Sequence, residues 1–414
     1  MTGGKDDAAQ TFRRVLIAGA VIVVLAIVPV AVPHAQKPIR VGTTMSRTGS
    51  LAAMGQNQLR GYELCVKHTN ENGGVLGRRI ELLVEDDRSD GATAAALYEK
   101  LITQDKVDMI FGPYSSPVTE GMADVADKYR MPMIASAAAT SIFRKGRKYV
   151  FMQPSPAERY LEGLIDIAKT RGLKTVAAVY EDTLLQKTIA QGAIELAKKR
   201  GLQIVLAESY PKGTTDFGGI VAKVKTANPD VLAAATYHTE TIARLLKKLD
   251  VNPKMFGATV DVAFPKFHEA LGRDGEFVYG ASLWEPELVT LRAGGLIPIA
   301  RQYPGAREFV EAHRSDFPGA EISYHTGQGY GACQVHMEAI RRADSLDREK
   351  VRAAILKLEI NTAFGAFKVD KDGLQVAHRM VLFQWQDGKK VIVWPQEVAP
   401  AKPRFPTPPW NQRQ

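Results

Sequence analysis

The segment Val107–Thr140, VDMIFGPYSSPVTEGMADVADKYRMPMIASAAAT, decides how the chain is read. It predicts a buried strand over Val107–Phe111, a Gly-Pro turn, a helix opened by Ser116 and Pro117, and a second strand over Met133–Ala135. Ser116 stands where an N-cap belongs, Pro117 in the favoured first helical position, and Glu120 is placed for a capping box. The first N–H groups of such a helix lack intrahelical partners and carry the positive end of its dipole, so a carboxylate or phosphate settles there. Across the gap, Ser136-Ala-Ala-Ala-Thr140 leaves the next strand with almost no side-chain bulk; its backbone can approach a small ligand, and Thr140 adds a hydroxyl. A lone Ser-Pro start is ordinarily only a cap. Two such starts after successive strands point to a small anionic ligand.

The chain has 414 residues, 45% apolar and 24% charged, enough for two domains with cores of their own. Residues 1–35 read as a signal peptide: Arg13 and Arg14 precede the apolar run Val15–Val32, and Ala35 offers a small residue for cleavage. Pro33 is awkward for a signal peptidase, so an uncleaved membrane anchor stays open beside it. Export to the periplasm fits this reading.

The net charge of +9 is scattered. Lys198-Lys199-Arg200, Lys247-Lys248 and Arg341-Arg342 fall at the C-terminal ends of helical patterns, where they complement the dipole. No basic run is interleaved with aromatics, which argues against nucleic acid as a partner. The two cysteines, Cys65 and Cys333, each sit inside a helical pattern. An oxidising compartment permits a bridge between them, but the commoner state of a helix-buried cysteine is a small apolar side chain, and that is the expectation here. Neither follows the apolar run, which excludes a lipid anchor there.

Taken in order, the pattern alternates. Strands are expected at Ile39–Thr44, Arg79–Glu85 and Val107–Phe111, with helices at Gly55–Thr69 and Ala92–Ile102 between them. A second run of the same kind begins after Tyr149–Gln153: helix Ala157–Lys169, strand Thr175–Tyr180, helix Thr188–Arg200, strand Gln203–Ser209, helix Phe217–Lys225, strand Val231–Thr236, helix Thr239–Leu249 and strand Val278–Leu283. A less regular stretch follows Trp284-Glu-Pro286, then helices Tyr324–Ala343 and Arg348–Lys357, strands Ala366–Val369, Met380–Gln384 and Val391–Trp394, and a proline-rich tail read as extended. Two such α/β lobes form a cleft, and ligands bind beyond the carboxyl ends of open parallel sheets.

Several motifs stand in a specific order: Asn72-Glu-Asn-Gly-Gly-Val-Leu-Gly, Glu85-Asp-Asp-Arg-Ser-Asp, Phe111-Gly-Pro-Tyr-Ser-Ser, Ala137–Thr140, Asp216-Phe217, Asn228-Pro-Asp230 and Phe383-Gln-Trp-x-x-Gly-Lys389. With them the chain, from about Ile39 to Trp394, resembles the periplasmic substrate-binding proteins of the leucine/isoleucine/valine-binding family, receptors of ABC importers. The resemblance implies an α/β, two-lobed type I periplasmic-binding fold, each lobe a mainly parallel sheet flanked by helices, joined by a three-segment hinge. Its parts are residues 38–155 and 285–371 for the first lobe, 156–284 and 372–398 for the second, and 399–414 for the extended tail.

By the same resemblance the ligand carboxylate is held by Ser116 and by backbone and hydroxyl groups of Ala138, Ala139 and Thr140, each charge-assisted bond contributing roughly 1.5–3 kcal/mol. The ammonium side matches less well: Met54 and Leu185 stand where the family has tyrosines, while Tyr237 is retained and Asp261 is the acid available. The ligand is then an amino acid held differently or a carboxylate without an α-ammonium. Tyr114 and Trp284 offer aromatic faces or ordinary packing. Hinge closure over the ligand, with Tyr237 and Asp261 making contacts of the closed form, and docking of that form on a membrane permease complete the implied mechanism for a monomer without cofactor.

No enzyme set is legible. The eight histidines are dispersed, without a pair at metal-ligand spacing. Gly327-Gln-Gly329-Tyr-Gly331 has no strand before it, which favours packing over a nucleotide loop. Asp86-Asp87-Asp90, at a strand end, reads as helix capping before it reads as a metal site. The competing function is a membrane-anchored ligand sensor of the same fold.

Overall fold

The computed structural model describes residues 36–289 and 305–413. Residues 1–35, where a signal peptide is expected, and part of the stretch expected to be irregular, residues 290–304, lie outside them. The first sheet is small and parallel. In it β1 (Ile39–Met45) lies between β2 (Ile80–Asp86) and β3 (Met109–Ile110), with Ile39 opposite Ile80 and Val41 opposite Met109. Hydrogen bonds from Asp108 N–H to Arg40 and from Phe111 N–H to Gly42 continue the β3 pairing on both sides, which accounts for the longer strand the sequence suggests. Two helices connect these strands, α1 (Ala52–Glu71) and α2 (Gly91–Thr103), and Asp90 caps α2 by accepting from Thr93 N–H at 2.7 Å. Helix α3 (Ser116–Lys128) follows β3, and β4 (Met133–Ala135) pairs in parallel with β5 (Val150–Met152).

The cap of α3 corrects the sequence reading. Ser115, not Ser116, is the N-cap, its side chain accepting from Val118 N–H. Glu120 closes no capping box; it pairs with Arg147 and Lys145. A Ser-Ser-Pro run offers two registers for a cap. The chain takes the one that frees Ser116 to turn toward the Ala138-Ala139 backbone.

The second sheet has seven strands in the order β14-β13-β10-β9-β8-β6-β7. Its parallel part comprises β6 (Thr175–Glu181), β7 (Gln203–Tyr210), β8 (Val231–Ala235), β9 (Met255–Thr259) and β10 (Tyr279–Ser282). The hairpin β13 (Val381–Gln386) and β14 (Lys389–Trp394) adds antiparallel to β10. Helices α4 (Glu162–Thr170), α5 (Leu184–Lys199), α6 (Gly218–Ala227), α7 (Thr239–Lys248) and α8 (Pro265–Leu271) flank it. Strand β9, MFGAT, was not legible in the sequence. It is short, buried throughout and without alternation, so periodicity offers no signal. Helix α9 (Ala306–Asp316) orders part of the stretch expected to be irregular.

Helix α10 (Tyr324–Ala343) is buried along most of its length and packs on α1, with α11 (Arg348–Lys357) and the short pair β11 (Ile360–Thr362) and β12 (Gly365–Phe367) after it. Two glycines allow the close approach. A Cβ on Gly61 would stand 2.1 Å from the Thr326 carbonyl oxygen, and one on Gly329 would stand 2.2 Å from that of Gln58. Gly327 and Gly331 likewise face Trp284 and Phe364, so the Gly-x-Gly-x-Gly run serves packing. The crossing is closed by a Cys65–Cys333 disulfide, contrary to the expectation of two unpaired apolar side chains. The reason is the glycine-permitted proximity of the two helices, which brings the Cα atoms within 6.2 Å.

The tail beyond Pro395 has little regular structure and is fastened down. Gln384 pairs its amide with the backbone of Arg404, Thr407 N–H donates to Lys254, and the buried Trp410 donates its indole N–H to Val251. The α1–α10 crossing gives a direct test. Gly329→Ala should lower the melting temperature by several degrees, reflecting about 1–3 kcal/mol of overpacking. Gly219→Ala on α6, where an added methyl meets nothing, should leave it unchanged or raise stability by up to ~1 kcal/mol. Thermal unfolding followed by circular dichroism decides; equal shifts in the two variants would contradict the crossing geometry.

Candidate functional site

A cavity of about 690 Å³ opens at the carboxyl ends of strands from both sheets. Every part of its wall is a strand-to-helix junction. Ser50, Leu51 and Met54 come from the end of the β1–α1 loop and the start of α1, Ser89 from before α2, and Ser115 and Pro117 from the start of α3. Opposite them, Glu181 and Thr183 lie between β6 and α5, Lys212 and Gly213 after β7, Tyr237 and His238 after β8, and Val260, Asp261 and Phe264 after β9. The N-cap residues of five helices, Leu51, Ser115, Thr183, His238 and Phe264, therefore line one space. Ser115 caps its own helix, the α7 start is capped by Asp261, which accepts from Thr239 N–H, and the N-cap side chains of the other three make no cap bond. Uncapped first-turn amides favour an anion.

Of the residues singled out in the sequence, Met54, Tyr237 and Asp261 line this cavity. Ser116, Ala138, Ala139 and Thr140 sit together behind the α3 start, buried. The Ser116 hydroxyl oxygen accepts from Ala138 N–H at 3.1 Å and Ala139 N–H at 3.2 Å, so these groups satisfy one another, and the Thr140 hydroxyl donates to Glu158. Tyr114 is buried with its hydroxyl 3.1 Å from Nε2 of His325, whose ring Tyr324 and Phe264 stack upon. Leu185 is buried in the first turn of α5, and Trp284 packs against Phe309 and Gly327, so its role is packing. Glu181, Thr183, His238 and Phe264 were not singled out beforehand. Their one shared signal is position: each lies at the end of a buried strand or a few residues beyond it.

Two wall residues hold a backbone that L-residues rarely adopt, Ser115 at φ 78° and Val260 at φ 60°. For the β-branched Val260 this is costly, and such outliers concentrate where a ligand is clasped. Burial pushes the Asp261 carboxyl up to about 7, against the Thr239 hydroxyl and Thr239 N–H, which both donate to it, and the nearby His238. A hydrogen bond to Glu181, helped by that carboxylate's charge, raises the His238 imidazole from its ordinary range. The acids of the Asp86-Asp87-Asp90 loop are occupied locally: Asp87 accepts from Ser46, Thr44 and Ser89, and Asp86 from Arg47 and Thr48. Among the described residues no group of three or more His, Cys, Asp or Glu side chains is arranged to hold a metal ion.

A parallel α/β frame with a cavity walled by helix starts at its strand ends is an arrangement in which small ligands bind. Residues 38–390 match the family described as periplasmic binding protein, and the chain belongs to that family. It is similar to Leu/Ile/Val-binding protein homolog 7 of Brucella suis biovar 1 (strain 1330), 28% identical over 90% of this chain and 95% of the relative. Homolog 8 of Brucella abortus (strain 2308) is 26% identical over 89% and 93%. A leucine binding protein from Thermotoga maritima superposes with a TM-score of 0.74 at 23% identity, covering 87% of this chain and 99% of that one. A branched-chain amino acid transporter substrate binding protein from Streptococcus pneumoniae, in complex with isoleucine, gives 0.72 at 21% identity over 86% and 100%. The fold is that of the type I periplasmic binding proteins. Family membership implies a periplasmic location; among the described residues no helix is long and apolar enough to cross a membrane.

Two substitutions probe the wall. Because the Asp261 carboxyl is raised, the folded protein binds a proton more tightly than the unfolded chain, so this group's contribution to stability falls as pH rises from about 4 to about 7. Asp261→Asn should therefore be more stable than the parent at pH 8 by roughly 2–4 kcal/mol and similar to it near pH 4, read from denaturant unfolding at the two pH values. Ser116→Ala strands two buried N–H groups and should cost about 1–3 kcal/mol; an unchanged melting temperature would show that those amides have another partner.

Proposed function

We propose that this protein is the extracytoplasmic receptor of an ABC importer, taking a small carboxylate-bearing ligand, a branched-chain or related amino acid, in a cleft between two lobes. The observation that carries this reading is the set of five helix N-termini around one cavity, three of them without a side-chain cap. The cavity volume falls in the range of small-molecule sites. The first lobe comprises residues 38–155 and 285–371, the second 156–284 and 372–398, with three hinge crossings, and residues 399–414 strap the second lobe. The ligand carboxylate lies at the starts of α1 and α3, backed by Ser116, Ala138, Ala139 and Thr140. Tyr237 and Asp261 close from the opposite wall, and the closed form docks on the permease. Residues 1–35 export the chain, which acts as a monomer and catalyses nothing; the relatives named above are binding proteins.

A second reading, a carboxylate without an α-ammonium, is favoured by Asp261, whose oxygens are already taken by Thr239 and whose carboxyl is only partly ionised near neutrality. Calorimetry on ligand-stripped protein separates the two, comparing leucine with 4-methyl-2-oxopentanoate at pH 5.5 and pH 8. An ammonium pairs with ionised Asp261, so leucine affinity should rise about tenfold or more over that interval. The oxo acid gains nothing from ionisation and should bind more weakly or unchanged at pH 8. If neither leucine, isoleucine, valine nor their oxo acids bind at either pH, the branched-chain reading fails.

A further inference from the structure

The loop that leads into α1 has little apolar surface to hold it. Arg47, Thr48, Gly49 and Ser50 are all exposed, yet Ser50 and Leu51 end the loop on the cavity wall. A polar loop of this kind opens easily unless its backbone is tied down. The ties come from the turn between β2 and α2. Asp86 accepts from Arg47 N–H at 3.0 Å, and from the Thr48 N–H and hydroxyl at 3.3 and 2.8 Å. The Ser89 hydroxyl donates to the Thr48 carbonyl at 2.8 Å, and its oxygen accepts from Leu51 N–H at 3.0 Å. Leu51 is the N-cap of α1, so this turn grips the helix start itself.

Asp87 holds the turn. It is fully buried and is not part of the cavity wall. Its carboxylate accepts from the Thr44 hydroxyl at 3.0 Å, the Ser46 hydroxyl at 2.6 Å and Ser89 N–H at 2.9 Å, all of them neutral donors. A buried carboxylate is costly unless its hydrogen bonds are complete, which keeps the end of β1, the loop and the turn in one register. The turn is also strained. Arg88 and Ser89 stand in succession at φ 53° and 65°, a region L-residues rarely adopt, and their N–H groups are the ones that Asp86 and Asp87 accept from. Gly49 completes the fit, since a Cβ there would stand 2.6 Å from both the Arg88 carbonyl oxygen and Ser89 Oγ. Strain of this kind persists where surrounding bonds over-determine it, and it concentrates where a ligand is clasped.

We infer that Asp87 is a positioning residue for ligand binding: through Ser46 and Ser89 it braces the β1–α1 loop, so that the start of α1 is set in place before the ligand arrives. The inference rests on the receptor function proposed above, with the ligand carboxylate at the α1 start. Asp87 touches no ligand and acts by sparing the cost of ordering the loop on binding. That gives the brace its own signature. Weakening it loosens the loop in the free protein, leaves the loop ordered once ligand is bound, and penalises every carboxylate ligand alike, with or without an ammonium. A merely structural role lowers stability without this exchange between loop order and affinity.

The test uses the ligand-stripped full chain as parent, Asp87→Asn, Ser46→Ala and, as a destabilised control remote from the loop, Val351→Ala in the buried face of α11. Calorimetric titration with leucine and with 4-methyl-2-oxopentanoate is paired with amide hydrogen exchange over Ser50–Met54. Asp87→Asn and the milder Ser46→Ala should each weaken whichever of the two ligands the parent binds by about threefold to tenfold. Both should also speed exchange at Leu51 and Met54 in the free protein and return to parent protection at saturating ligand, which shows that they are folded. Val351→Ala should bind within about twofold of the parent and leave loop exchange unchanged. Affinities in Asp87→Asn and Ser46→Ala no weaker than in Val351→Ala, or unchanged loop exchange in the free variants, overturn the brace while leaving the receptor function standing. Failure of leucine, isoleucine, valine and their oxo acids to bind the parent overturns both.

Discussion

A parallel strand that hands over to a helix delivers the helix's first amide groups to the carboxyl edge of the sheet. That constraint orders this molecule. The strands β1 and β3 on one side, and β6, β8 and β9 on the other, all hand over in this sense, and the N-caps of the following helices meet at one cavity. Those amide groups present their positive dipole ends to the cavity beside the side chains of Lys212 and Lys266. The side chains add charge of both signs: Glu181, Glu240 and Asp261 line the cavity together with Lys212, Lys266 and His238.

The frame that holds those edges still is the α1–α10 crossing. The two helices meet through glycine, with backbone against backbone, and α10 also carries His325, which stacks on Phe264 and the adjacent Tyr324 and meets Tyr114 edge-on near the cavity. Burial pushes the His325 imidazole down to about 3, so at neutral pH it is an uncharged packing and hydrogen-bonding group. Close packing of this kind fixes where α1 begins, and α1 begins at the cavity.

The alternation of strand and helix was legible because most elements are long enough to show a period, and the family motifs sit on the turns between them. What escaped the sequence did so for physical reasons. Strand β9 is too short and too buried to alternate. The cap moved from Ser116 to Ser115 because adjacent serines compete for one role, and only the position of the Ala138-Ala139 backbone settles which wins. The disulfide depended on a helix crossing that no local pattern encodes. At the site, Met54, Tyr237 and Asp261 were reached through resemblance. Glu181 and His238 were missed because an acid at a strand end and a histidine at a helix start look, one at a time, like ordinary surface residues.

Cys65 and Cys333 are 268 residues apart, and their bond turns most of the chain into a covalent ring. The restriction this places on the unfolded chain is of the order of 5 kcal/mol in the chain-entropy account. A second consequence concerns damage. Exposed loops are where proteases cut, and a single cut anywhere between the two cysteines opens the ring without dividing the molecule. The pieces stay tethered at the helix crossing that positions the start of α1, so a nicked chain keeps the covalent means to reassemble the wall of its cavity.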